Sequence, residues 1–84
     1  MWNLQLALPA QKDFRKLPLK DQPRIKAALI AMERDPFSGD IKRLKGQPTA
    51  WRRRVGNYRI TYDLYFNQRL IVIAGILRRT SSTY

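Results

Sequence analysis

Eighty-four residues, a net charge of +11 and the absence of both cysteine and histidine set narrow limits on what this chain does. There is material for one small core, and a chain of this size buries only about 60% of its unfolded surface, which leaves it marginal alone and suited to a partner. Without thiols there is no disulfide framework, iron–sulfur site or thiolate zinc site. Without imidazole the commonest metal ligand and the commonest general base are missing, so no metal site and no cofactor are expected.

In chain order, Trp2, Leu4, Leu6 and Leu8 alternate with Asn3, Gln5 and Ala7, the period of a half-buried strand, which Pro9 is expected to end. Ala10 to Leu17 reads as a short helix stopped by Pro18. Asp21 is placed to N-cap a second helix with Pro23 in its first turn. There Ile25, Ala28, Leu29 and Met32 trace one apolar stripe, closed by Asp35-Pro36. Lys12, Lys16 and Lys20 read as a solvated helix face. Ile41 to Gly46 is short and basic with no decisive period, and Gln47-Pro48 reads as a turn. Trp51–Val55 and Tyr58–Phe66 form a hairpin across Gly56-Asn57. Leu70–Leu77 is apolar at nearly every position and reads as a strand covered on both faces. The order predicts a single α+β domain over residues 1–84: one strand, two helices, then a three-stranded antiparallel meander, with the helices on one sheet face.

Period two also sorts the hairpin's charges. Tyr58, Ile60, Tyr62 and Leu64 make one apolar row, leaving Arg59, Thr61 and Asp63 opposite. On the first strand Trp51 and Val55 match the apolar row, leaving Arg52 and Arg54 with Arg59. Three guanidinium groups therefore meet on one side, a crowding that a polyanion makes favourable. Arg53 falls on the apolar parity and is expected to snorkel at the sheet edge; Trp51, Tyr58 and Tyr62 read as core aromatics. Residues 1–41 hold seven basic and five acidic side chains, whereas residues 42–79 hold ten basic and one acidic. That asymmetry points to a nucleic-acid footprint, with an acidic protein partner as the competing reading. No apolar run approaches the roughly 18 residues of a membrane span, and the N-terminus lacks the layout of a signal peptide, so a soluble, cytoplasmic protein without membrane contact is expected.

The order Leu44-Lys45-Gly46, then Trp51-Arg52-Arg53-Arg54-Val55-Gly56-Asn57-Tyr58-Arg59-Ile60-Thr61-Tyr62, then Arg78-Arg79 and Tyr84 resembles the RelE/ParE superfamily of toxins from toxin–antitoxin pairs. The likeness runs over nearly the whole chain. RelE-like members cleave messenger RNA in the ribosomal A site without metal; ParE-like members poison DNA gyrase. The resemblance implies a RelE-like fold and an endoribonuclease (an mRNA interferase that inhibits translation), with the gyrase inhibitor as the alternative. The family's RNase positions match Arg52 and Arg54 on one strand, Arg59 on the next, Arg79 or its neighbour Arg78 after the last strand, and Tyr84. The chain departs from the best-known RelE-like enzymes in having arginines rather than lysines at 52 and 54.

Cleavage of this kind needs the ribose 2′-OH deprotonated, the scissile phosphate stabilised and the leaving 5′-oxygen protonated. Arginine holds phosphate oxygens bidentately, but its permanent protonation excludes it as a base. Arg59 and Arg79 are therefore expected at the scissile phosphate, with Arg54 and Arg52 holding the RNA backbone and Lys45 and Arg78 extending the contact. Tyr84, Lys45 and Asp63 are the candidates for proton transfer, Tyr84 first because positive neighbours favour a phenolate. Tyr84 equally reads as a base-stacking group, and Asp63 as an ion-pair partner of the arginines. The expected partners are the ribosome with its mRNA, and a cognate antitoxin. The antitoxin would be an acidic, partly disordered chain that folds across this domain in a hetero-oligomer.

Overall fold

The computed structural model describes residues 1–47 and 49–78. In chain order it has β1 (Asn3–Leu6), α1 (Leu8–Lys16), α2 (Gln22–Arg34), β2 (Asp40–Arg43), β3 (Ala50–Val55), β4 (Tyr58–Tyr65) and β5 (Leu70–Arg78). The strands form one sheet in the order β1-β5-β4-β3-β2. β1 and β5 are parallel and every other neighbouring pair is antiparallel. The α+β class is as expected, with one strand more than the sequence showed. That strand is β2, whose four residues carry a single apolar side chain, Ile41, too little to reveal a period.

Pro9 opens α1 instead of merely ending β1. It sits in the first helical turn, where its missing N–H breaks no hydrogen bond. Arg15 and Lys16 stand in the last turn, facing the negative end of the helix. Gln22 Nε2 donates to the Leu17 carbonyl at 3.1 Å just beyond α1, so the start of α2 is tied to the end of α1. The stripe of α2 is buried at Ile25, Ala28, Leu29 and Met32, as its spacing predicts. Asp21 precedes α2 but makes no capping bond through its side chain; its carboxylate accepts a 2.6 Å bond from the Tyr58 hydroxyl. The expected cap is thus replaced by a strut from α2 to β4.

Both helices lie on one side of the sheet. Ala10 and Leu17 of α1 and the stripe of α2 meet Tyr58, Ile60, Tyr62 and Leu64 of β4 and Ile71, Ile73 and Ile76 of β5. Leu4, Leu6, Phe14, Trp51 and Val55 pack around this cluster. Tyr62 is fully enclosed and donates to the Pro36 carbonyl at 3.0 Å. Among the described residues no buried side-chain nitrogen or oxygen lacks a partner.

β5 is not covered on both faces as its composition suggested. Two short helices suffice for one face only, and among the described residues no helix or strand covers the other, where Leu77 is 55% exposed. β5 also carries a bulge: Gly75 pairs with Thr61 and Ile73 with Tyr62, leaving Ala74 as the extra residue. With a side-chain period of two, one added residue reverses the phase. Ile71 and Ile73 point to the helices before the bulge, and Ile76 and Arg78 share that side after it. Beyond Ile73, where β1 stops pairing, α1 protects the edge of β5. Asp13 Oδ2 accepts the Ile76 N–H at 2.9 Å, a group that would otherwise be an unpaired edge donor.

Candidate nucleic-acid interface

The register of the charged face begins at the β3–β4 turn. Val55 pairs with Tyr58, so Gly56 and Asn57 are the two central residues. Gly56 has φ +57° and Asn57 a negative φ, the pattern of a type II′ turn with glycine in the first position. A Cβ at Gly56 would stand 2.7 Å from the Arg24 guanidinium, which packs against the turn. This tight connection sets Arg54 directly opposite Arg59 and Arg52 opposite Thr61. On the other flank β2 sets Asp40 opposite Arg54 and Lys42 opposite Arg52. Two rows therefore cross the open face: Asp40, Arg54, Arg59, Leu77 and, one step along, Lys42, Arg52, Thr61, Gly75.

Like charges directly opposite one another in a sheet are destabilising, and Arg54 facing Arg59 is such a pair. Compensation is thin. Asp40 Oδ1 lies 3.6 Å from Arg52 Nη1 and Asp40 Oδ2 lies 3.9 Å from Arg54 Nε. The Arg52 Nη1 donor also reaches the Asp40 carbonyl at 3.5 Å. All three distances exceed the roughly 2.8 Å of a strong charge-assisted hydrogen bond. Among the described residues no carboxylate forms an ion pair with Arg59, which is exposed. The face is a cluster of guanidinium groups on paired strands that Asp40 neutralises only loosely.

The other expected site residues fall in several places. Asp63 shares the open face, half-buried, and its carboxylate accepts from the Thr49 hydroxyl at 3.0 Å instead of pairing with a described arginine. Arg53 lies on the helix side as its parity predicts, with Nη1 donating to Ser38 Oγ at 3.1 Å. Lys45 stands exposed in the turn after β2, beside Arg43 and Gln47. It is level with the start of β3, about 13 Å of strand from Arg54 at ~3.3 Å per residue. Arg78 is not with the three arginines either. It pairs with Tyr58 and lines a small groove on the helix side with Asp13, Lys16, Leu17 and Pro18. The bulge at Ala74 is the reason. Arg79 and Tyr84 lie outside the described residues.

The surroundings of two tyrosines disfavour their phenolate forms. The hydrogen bond to Asp21, aided by burial, raises the pKa of Tyr58 above the usual 10. Burial pushes Tyr62 up to about 12. Both hydroxyls are committed, to Asp21 and to the Pro36 carbonyl. Sequence reasoning missed Asp40 and Lys42 as members of the charged face. The signal existed only in the pairing of β2 with β3, which places Asp40 and Lys42 on the parity of Arg54 and Arg52.

No family model matches the chain. Over 81 residues it is 31% identical to a curated protein of Methanocaldococcus jannaschii named as a RelE1 toxin, covering 93% of this chain and 90% of that one. The fold superposes on the archaeal RelE–RelB complex from Pyrococcus horikoshii OT3 with a TM-score of 0.82 at 21% identity, covering 96% of this chain and 98% of that one. It superposes on the isolated E. coli RelE toxin with a TM-score of 0.83 at 19% identity, covering 99% and 89% respectively. These two structures define the class of fold, that of the RelE toxins. The sequence relative is close enough and complete enough to go further: this chain belongs to the RelE toxin family.

Proposed function

We propose that the chain is the toxin of a type II toxin–antitoxin pair and acts as a metal-independent endoribonuclease on ribosome-bound mRNA. The juxtaposition of Arg54 and Arg59, with Arg52 beside them, supports this reading. A backbone phosphate seated between these guanidinium groups replaces their mutual repulsion with charge-assisted hydrogen bonds. In the reaction a base takes the 2′-OH proton, the 2′-oxygen bonds to the adjacent phosphorus, and the bond to the 5′-oxygen breaks as that oxygen is protonated. The products are a 2′,3′-cyclic phosphate and a 5′-hydroxyl. Arg54 and Arg59 supply the fixed positive charge that this phosphorane-like state needs, and in a rigid sheet they need no reorganisation to do so. Arg79 is assigned to the same phosphate and Tyr84 to one proton transfer, on the family's pattern. Tyr58 and Tyr62 do not compete for that role, since their hydroxyls are held inside the fold. The partner is an acidic antitoxin, in keeping with the RelE–RelB complex of the Pyrococcus neighbour.

Mapping of mRNA ends in an extract tests the proposal, with translation active and with ribosomes removed. The expected result is new 5′-hydroxyl ends within codons of translated messages only. The same protein incubated with DNA gyrase and supercoiled DNA is expected to trap no double-strand breaks. Breaks without RNA cleavage would transfer the chain to the gyrase-directed branch.

A further inference from the structure

Asp40 is the acidic member of the two charged rows that touches the arginines, and its surroundings are unusual for a structural ion pair. Its carboxylate contacts two guanidinium groups at once, Arg52 at 3.6 Å and Arg54 at 3.9 Å, neither close enough for a strong bond. It stands on the edge strand with a side chain 57% exposed, while that of Arg52 is only 15% exposed. Arg52 is thus fixed against the sheet and Asp40 is the replaceable partner. With Asp40 itself exposed and both contacts long, the pairing contributes little to stability. A carboxylate also matches a phosphate in charge sign and in offering two oxygens to a guanidinium fork.

We propose that Asp40 is a built-in stand-in for phosphate: in the free protein it fills the anion seat between Arg52 and Arg54, and an RNA phosphate displaces it on binding. This rests on reading the open face as a phosphate grip. Asp40 then acts through the two arginines, as a positioning residue. It holds their head groups in register while the face is empty, relieves their repulsion, and sets a threshold that a weakly held polyanion does not pass. The longer and better-connected phosphate contacts of a properly seated RNA do pass it.

Equilibrium binding of a labelled single-stranded 2′-O-methyl oligonucleotide, which cannot be cleaved, tests this between 50 and 200 mM salt (roughly the range over which phosphate contacts are strongly screened). Removing the competing charge in Asp40→Asn is expected to tighten binding about 3- to 10-fold at the lowest salt, the combined size of two exposed ion pairs. The salt dependence should steepen, because no displaced carboxylate then recovers a counterion when the RNA binds. Asp40→Glu should restore the wild-type slope. In an Arg52→Ala/Arg54→Ala background Asp40→Asn should lose most of its effect, as coupled residues do. Asp40→Ala serves as a second neutral variant, and thermal melts of each establish folding. Unchanged or weaker binding by folded neutral variants overturns the proposal, as does an equal gain without the arginines or a wild-type chain that binds no oligonucleotide. If the wild type leaves mRNA intact while Asp40→Asn still tightens binding, the nuclease reading falls and the role of Asp40 stands. Intact cleavage with unaltered binding separates them the other way.

Discussion

Toward the helices β4 presents Tyr58, Ile60, Tyr62 and Leu64, each 4% exposed or less; away from them the same strand presents Arg59, Thr61 and Asp63. The first row is apolar or internally satisfied, with both tyrosine hydroxyls bonded. The second sets arginine against arginine with one loosely held carboxylate nearby. One strand therefore divides two tasks between its two parities. The helix side holds the fold together, and the open side carries charge that the fold does not need and slightly disfavours.

The comparison breaks if substitutions on the two sides have similar consequences. The largest stability effect should come from the helix side. Leu64→Ala removes a fully buried side chain and should cost about 2–5 kcal/mol in urea unfolding, a large part of what an 84-residue domain has.

A smaller effect follows from Tyr62, whose pKa rises from 10 to about 12 on folding. A raised folded pKa means that its contribution is complete below pH 10 and is lost as pH climbs through 12. The urea midpoint should therefore fall between pH 10 and pH 12, and Tyr62→Phe should flatten that fall. An equally steep decline in the variant would assign it to other groups.

Much of this division was legible in the residues because strand parity is a strong signal. Arg52, Arg54 and Arg59 separate from Trp51, Tyr58 and Tyr62 by counting alone, and the stripe of α2 reads directly from its spacing. Other features were hidden for physical reasons. β2 has one apolar side chain and gains its strand geometry from pairing with β3, so Asp40 and Lys42 were not visible on the open face. The bulge at Ala74 is marked only by the neighbouring Gly75, a weak signal within an apolar run, yet it decides that Arg78 shares the side of Tyr58. Asp21 has the chemistry of a cap, but a tyrosine hydroxyl 37 residues away claims its carboxylate. In each case a tertiary contact outweighed a local preference.

The most direct test joins both halves of the comparison in one protein, the Arg54→Ala/Arg59→Ala variant, assayed for its thermal melt and for mRNA ends in a translating extract. Relief of the facing charges should leave the melting temperature equal to or slightly above wild type, while the new 5′-hydroxyl ends fall by a factor of at least about 100. A stably folded variant that still cuts mRNA at the wild-type rate would contradict the assignment of catalysis to this face.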